Sequence, residues 1–344
     1  MILLRIYIGK QLLRCLNESG LIIMNKYYSR IDFIGDINEL SLKVCEDFGL
    51  IGYLGTKVVE LGYEDFNAII STDSNKYLMK VFANSRDDKE MNDCVKRVCV
   101  ALENGVVTPK LYENNDGEVL SIIKIGESRF RVILMEYIDG SDFVSLKEKP
   151  NLEELKVIVD IASTINKIDY KPDFIYDSWA IPNFCKEYEK KIGYISDEYV
   201  KILEPVYSAF KAMAYDNLPK AFVHGDIRSS NFMRDVNGKI WIIDFNVSNY
   251  IVRLNEIAVI CYDTAVIMND RKESKKRINY VFDMWCKNVG ATDVEKASFE
   301  LLFKVANAIN VMNVLWMKET GGFSSENNGH LAIGLFGLSL FNDL

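Results

Sequence analysis

Short runs of alternating apolar and polar residues dominate the amino-terminal part of the chain, and helical spacing dominates the remainder. Leu61–Asn67 reads as a turn feeding an apolar run, Ala68–Thr72, and Asp73-Ser74-Asn75 reads as a second turn. Lys76–Phe82 is then a strand in which Tyr77, Met79 and Val81 share one face and Leu78, Lys80 and Phe82 the other, because successive side chains of a strand point to opposite faces. A helix is expected over Asp87–Glu103, closed by Val107-Thr108-Pro109. Arg131–Ile138 is a further apolar strand, broken by Asp139-Gly140. From Ser141 onward apolar residues recur at helical spacing, over Leu152–Ile168 and Tyr199–Met213. Ala221–Val223 and Lys239–Ile243 interrupt them as short strands. No internal repeat or low-complexity linker occurs, which favours two lobes sharing one interface over independent domains.

The two late strands carry the residues richest in chemistry. His224-Gly225-Asp226-Ile227-Arg228-Ser229-Ser230-Asn231 comes after the first, and the second delivers Asp244 in Ile242-Ile243-Asp244-Phe245. Between them Asp235–Lys239 reads as a turn, since Asn-Gly readily supplies positive φ angles. Phosphoryl transfer needs metal ions on the phosphate oxygens and an acid that orients the attacking hydroxyl. Asp226 suits the orienting base, and Asn231 and Asp244 suit magnesium, a hard cation that takes only one or two protein oxygens. Either segment alone would be weak: Gly-Asp is common in turns, and an apolar run ending in an acid is an ordinary buried strand. Their conjunction, on strands that bring both to one edge, favours catalysis.

At these residues the chain resembles the aminoglycoside phosphotransferase and choline kinase-like superfamily, small-molecule relatives of the protein kinases. His224, Gly225, Asp226, Asn231, Asp244 and Phe245 meet its fixed positions, and the resemblance runs from about residue 35 to about residue 270. It implies an α+β, two-lobed protein-kinase-like fold with an antiparallel sheet plus helix in the N-lobe and a mostly helical C-lobe. The lobes would span residues 25–138 and 139–344, after an N-terminal extension at 1–24. ATP or GTP and Mg2+ are the implied cofactors. Lys80 resembles the strand lysine that grips the α- and β-phosphates; the alternative is an edge lysine lying along its neighbours. Glu90 and Asp93 are both candidates for its acidic partner, with Glu90 preferred because an aspartate reaches less far. Met135, Glu136, Tyr137 and Ile138 resemble the hinge, where backbone meets the adenine edge. Arg228 stands where protein kinases place a phosphate-contacting lysine, and a guanidinium there would stabilise phosphoryl charge; a surface ion pair is the competing reading. His224 is expected to hold loop backbone. Glu256 departs from the aspartate that the family usually has in the segment after the metal acid.

Composition narrows the picture. The chain has 344 residues, 49% apolar and 26% charged, with net charge −8, which argues against nucleic-acid binding through phosphate attraction. Its seven cysteines form no CxxC pair and read as reduced thiols in a cytoplasmic protein. Two histidines cannot build a histidine-rich metal site. Residues 1–24 carry Arg5, Lys10, Arg14 and Glu18, too many charges for a membrane span. They read either as an extension preceding a start at Met24 or as an amphipathic helix.

These readings give an ATP-dependent kinase acting on a hydroxyl of a small, amine-bearing acceptor of aminoglycoside, homoserine or amino-alcohol type, with no nucleic-acid or membrane partner. The oligomeric state is not legible. Asp177-Ser178-Trp179, Tyr188, Trp285, Asn313 and Trp316 are candidates for the acceptor pocket, aromatic faces and acids suiting an ammonium group, although large aromatics in helices are usually core. A protein acceptor is disfavoured because Asn246 replaces the glycine of the kinase DFG segment. The alternatives are a nucleotide-binding pseudoenzyme or interaction module, which the presence of Lys80, Asp226, Asn231 and Asp244 disfavours, and a metal-dependent hydrolase.

Overall fold

The computed structural model describes residues 12–17, 20–25, 27–60, 65–322 and 327–341. Contacts divide the chain into two compact units, Met1–Cys99 with Pro109–Ile138, and Val100–Thr108 with Asp139–Leu344.

The first unit is built on antiparallel pairing. Leu12–Asn17 (β1) and Gly20–Asn25 (β2) pair antiparallel, so strands stand where the sequence offers a helix as the alternative to an extension; the rest of that segment lies outside the described residues. Ile37–Asp47 (α1) comes next, capped by Asp36, which accepts the Asn38 amide at 2.9 Å. The main sheet comprises Tyr53–Val58 (β3), Phe66–Thr72 (β4), Lys76–Val81 (β5), Leu111–Tyr112 (β6), Leu120–Ile125 (β7) and Ser128–Glu136 (β8), and β8 pairs with β5, β6 and β7. Leu61–Glu64 of the expected turn lie outside the described residues.

Strand alternation has the expected consequence. Met79 and Val81 of β5 join Val132, Leu134, Leu40 and Val44 in one core. Phe82 and Ile133 face the other way, onto Met91 and Cys94 of the helix Asp88–Glu103 (α2). That helix starts with a reciprocal cap: Glu90 N–H donates to Asp87 Oδ1 at 2.8 Å, and Asp87 N–H donates to Glu90 Oε2 at 3.0 Å. Such a capping box satisfies amides that the first helical turn leaves open.

The second unit is mainly helical, with short strands that fix its loops. Gly140–Asp142 (β9) leads into Phe143–Leu146 (α3), Leu152–Ile165 (α4), Phe184–Lys191 (α5) and Asp197–Ala212 (α6). Lys220–Val223 (β10), Phe232–Asp235 (β11), Ile240–Ile242 (β12) and Asn249–Val252 (β13) come next. Leu254–Ile260 (α7), Arg271–Val289 (α8), Asp293–Thr320 (α9) and Asn327–Ser339 (α10) complete it. The mixed-charge run Asp270–Arg277 caps and starts α8; Lys272 and Lys276 are exposed, whereas Arg277 is buried and donates to the Pro150, Thr264 and Ala265 carbonyls. Trp285 is fully buried and its indole N–H donates to Asn166 Oδ1 at 3.0 Å. The central helix α9 is lined with buried apolar residues from Phe299 to Leu315 and packs against α10, α6 and α7. Among the described residues no helix is long and apolar enough to cross a membrane.

Candidate functional site

Pairing of the short strands creates the loop cluster. β10 pairs with β13, Val223 opposite Asn249, while β11 pairs with β12 and β9. His224–Asn231 therefore leaves β10 and returns into β11, and Ile243–Ser248 leaves β12 and returns into β13. Both loops are pinned at both ends. The Ile243 amide donates to the Asn231 carbonyl at 2.9 Å, joining the loops at the two metal-ligand candidates.

His224 ties the same two segments together. It is fully buried, its Nε2–H donates to the Ile243 carbonyl at 3.0 Å, and its Nδ1 accepts the Asp226 amide at 3.3 Å. That pair of partners fixes one neutral tautomer, and burial pushes the ring's pKa down. Its carbonyl accepts the Ser248 hydroxyl at 2.9 Å. Gly225 has φ +88°, and a Cβ there would lie 2.5 Å from the Val247 carbonyl oxygen. Only glycine lets the two loops approach so closely.

Asp226 and Asn231 are brought into contact. Asn231 Nδ2 donates to Asp226 Oδ2 and to the Asp226 carbonyl, both at 2.8 Å. The amide fixes the carboxylate and keeps its own Oδ1 as a donor atom for a cation. Asp244 is exposed and sits at φ +69°, a conformation uncommon outside glycine. Among the described residues no three His, Cys, Asp or Glu side chains converge as a metal cage. One amide and one carboxylate oxygen still fit magnesium, which leaves most of its coordination to phosphate and water.

Arg228 is mostly buried rather than paired on the surface. Its Nε lies 3.5 Å from Asp263 Oδ1, and its Nη2 donates to His330 Nδ1 at 3.2 Å. Asp263 also takes the Ser229 amide at 2.5 Å; burial raises its carboxyl's pKa, but Arg228 and Lys149 more than reverse this and hold it below the usual range. Asp263 and His330 carry no motif, and only the fold brings them to this loop.

Glu256 is the other residue whose part is not legible in the sequence. Its Oε1 accepts the His224 amide at 3.1 Å, and burial, opposed by the His224 and Gly225 amides, pushes its carboxyl up to about 8. A departure in type thus still supports the loop. In the unfolded chain a glutamate titrates near ~4.3. Above that pH the unfolded chain releases its proton while the folded one keeps it. The group's contribution is therefore full below about 4.3 and falls by ~1.4 kcal/mol per pH unit until the folded carboxyl ionises. Glu256→Gln keeps an acceptor for the His224 amide and removes this titration. Urea melts at pH 5 and pH 8 are expected to show little change at the lower pH and stabilisation by a few kcal/mol at the higher; a gain equal at both would contradict it.

A pocket beside this loop is lined by Asp177, Trp179, Asp226, Arg228, Tyr262 and Asn310, among others. The Asn310 Oδ1 and Tyr262 hydroxyl oxygens are buried without a hydrogen-bond partner, and leaving such atoms unmatched is costly. Of the acceptor candidates, Asp177 and Trp179 line it. The others have structural partners: Trp285 is core, Tyr188 donates to Glu204, Asn313 binds Lys191 and the Ser178 carbonyl, and Trp316 carries the Lys191 ammonium 4.9 Å from its ring centroid.

The remaining candidates lie in the first unit. Lys80 is opposite Ile133, Leu78 opposite Met135, and Tyr77 opposite Glu136, so the lysine strand and the hinge strand are neighbours. The Glu136 amide is spent on the Lys110 carbonyl at 2.8 Å, and Tyr137 and Ile138 follow β8 as the connector. The expected Lys80–Glu90 pair is not formed. Lys80 Nζ lies 3.1 Å from Asp65 Oδ2. The Glu90 carboxylate is held in the helix cap, beside a cleft of about 630 Å³ shared with Arg30, Asn84 and Arg86.

Residues 56–279, more than half the chain, match the model of the phosphotransferase enzyme family. The chain belongs to this family. It is a phosphotransferase of the kinase type, and solved structures agree with the fold. Amicoumacin kinase hAmiN, in complex with AMP-PNP, Ca2+ and Ami, superposes with a TM-score of 0.63 at 13% identity, covering 89% of this chain and 93% of that one. Spectinomycin phosphotransferase, in complex with ADP and spectinomycin, gives 0.60 at 10% identity, with 90% and 95% covered. Choline kinase LicA from Streptococcus pneumoniae gives 0.58 at 15% identity, with 89% and 99% covered. No curated protein sequence matches the chain.

Proposed function

We propose that this phosphotransferase moves the γ-phosphoryl group of magnesium-bound ATP, or GTP, to a hydroxyl of a small, amine-bearing molecule. The acceptor oxygen forms a bond to the γ-phosphorus, the bond from that phosphorus to the β–γ bridging oxygen breaks, and the nucleoside diphosphate leaves. Asp226 accepts the hydroxyl's hydrogen bond and takes its proton. Asn231 and Asp244 would hold magnesium, which supplies charge neutralisation on the phosphates when bound. Lys80 serves the α- and β-phosphates, Tyr137 and Ile138 offer backbone to the base, and Arg228 adds positive charge near Asp226.

The observation that carries this reading is the Asp226 carboxylate, fixed by Asn231 at 2.8 Å and lining a pocket with Asp177, Tyr262 and Asn310. The Asp226 carboxylate and the buried, unmatched Asn310 Oδ1 give this pocket acceptors. N–H and O–H donors of an amino alcohol or amino sugar complement it. Amicoumacin kinase, spectinomycin phosphotransferase and choline kinase act on small molecules, which supports the class but leaves the acceptor open; pocket shape, not fold, chooses it.

The test is magnesium-dependent ADP or GDP release across aminoglycosides, choline, ethanolamine, homoserine and other amino alcohols. One acceptor is expected to stimulate release, and Asn310→Leu to raise its KM about tenfold or more, since a lost hydrogen bond to a charged group is worth ~1.5–3 kcal/mol. Nucleotide binding that no acceptor stimulates would favour a binding role.

A further inference from the structure

The ion pair on Lys80 points to a residue with no part in the proposed reaction. β4 and β5 pair with Phe66 opposite Val81 and Asn67 opposite Lys80. Continuing that ladder by one step sets Asp65 beside Phe82, on the same face as Lys80 and diagonal to it. Diagonal neighbours across a pair of strands lie within reach of a long side chain, and the Lys80 Nζ–Asp65 Oδ2 distance of 3.1 Å agrees.

Asp65 is built into its place. It is 4% exposed. Its Oδ1 accepts the Ala83 amide at 3.1 Å and the Arg86 Nε at 3.0 Å, and Arg86 Nη2 reaches Oδ2 at 3.4 Å. Its carbonyl accepts Arg30 Nη1 at 2.8 Å. Burial alone would raise its carboxyl's pKa, but Lys80 and Arg86 outweigh burial and hold it below the usual range. A carboxylate so anchored cannot swing, so it fixes the ammonium beside it. The α2 carboxylate, by contrast, is committed to the Asp87 amide, and a glutamate closing a capping box has no reach to spare.

We propose that Asp65, at the foot of β4, is the positioning residue for Lys80, in the part that resemblance would give to Glu90 of α2. Lys80 is thereby oriented from its own sheet. This role rests on Lys80 serving the nucleotide phosphates.

The test is calorimetric titration of magnesium–ATP into Asp65→Asn, Glu90→Gln, Lys80→Met and the double variant Asp65→Asn/Lys80→Met of the full chain, with thermal melts alongside. Asp65→Asn is expected to weaken binding about tenfold or more, and Glu90→Gln less than about twofold. Asp65→Asn should weaken binding no further once Lys80 is methionine. Weakening by Glu90→Gln with Asp65→Asn silent would overturn the proposal, as would an Asp65→Asn effect that persists undiminished without Lys80. Unchanged binding in Lys80→Met would instead remove the phosphate role of Lys80 itself. Should Asp65→Asn not fold, Asp65→Glu keeps the charge and displaces the ammonium by a methylene; nucleotide affinity reduced at least threefold is expected, and wild-type affinity would overturn the proposal.

Discussion

Asp226→Asn is expected to abolish acceptor-stimulated turnover while leaving nucleotide binding intact. One carboxylate oxygen of Asp226 already accepts from Asn231 Nδ2 at 2.8 Å. In the variant the single amide oxygen satisfies Asn231, which turns the new NH2 toward the position assigned to the acceptor. An NH2 there meets a hydroxyl proton as donor against donor. It neither aligns the oxygen nor takes its proton. General-base groups contribute ~10²–10⁴-fold, so kcat should fall by that range. The metal ligands assigned here are Asn231 and Asp244, and the nucleotide Kd should therefore change little. Steady-state ADP release and calorimetric binding measured on the same preparation check both halves. Turnover within tenfold of wild type would dismiss Asp226 as the base.

The HGD loop and the Asp244 strand are legible in the amino-acid sequence because their chemistry is local. Each holds its candidate residue next to a strand, and β-branched and aromatic residues announce strands. His224 is legible as a backbone holder for the same reason: its partners are the two loops the motif itself names. Lys80 is legible through period-two alternation, which puts it on the face that packs on α2.

The residues that escape sequence reading are those that tertiary contacts alone decide. Glu90 has the residue type and the helix position of a lysine partner, yet it closes a capping box three residues from Asp87, a contact already written in the local sequence. Asp65 draws no notice because it precedes a strand rather than lying on a helix. Glu256, Asp263 and His330 reach the loop from 30 or more residues away in sequence, where no spacing rule operates. Trp285 is the reverse case: aromaticity makes it a candidate for substrate contact, its helical setting points to core, and full burial with a bonded indole N–H makes it core. Side-chain chemistry nominates residues, but only packing chooses among them.

Asp244→Gly should separate activity from stability. Asp244 holds φ +69°, and the left-handed region costs a side-chain-bearing residue about 1–2 kcal/mol. Residues kept in such regions cluster where function requires them. Glycine adopts this φ without penalty, though it gains freedom in the unfolded chain worth roughly 0.5–1 kcal/mol. The local bond lost is weak, the Asn246 amide lying 3.4 Å from Asp244 Oδ1. These contributions nearly cancel, so the urea midpoint should stay within about 1 kcal/mol of wild type. Function should not stay. Outer partners of metal ligands are worth ~10–100-fold, and a direct ligand should cost at least as much in magnesium-dependent nucleotide affinity, with turnover falling further. Binding without magnesium should be nearly unaffected, which distinguishes loss of a metal ligand from damage to the fold. A variant that keeps both its magnesium dependence and its rate would remove Asp244 from the metal site and leave its positive φ without a function.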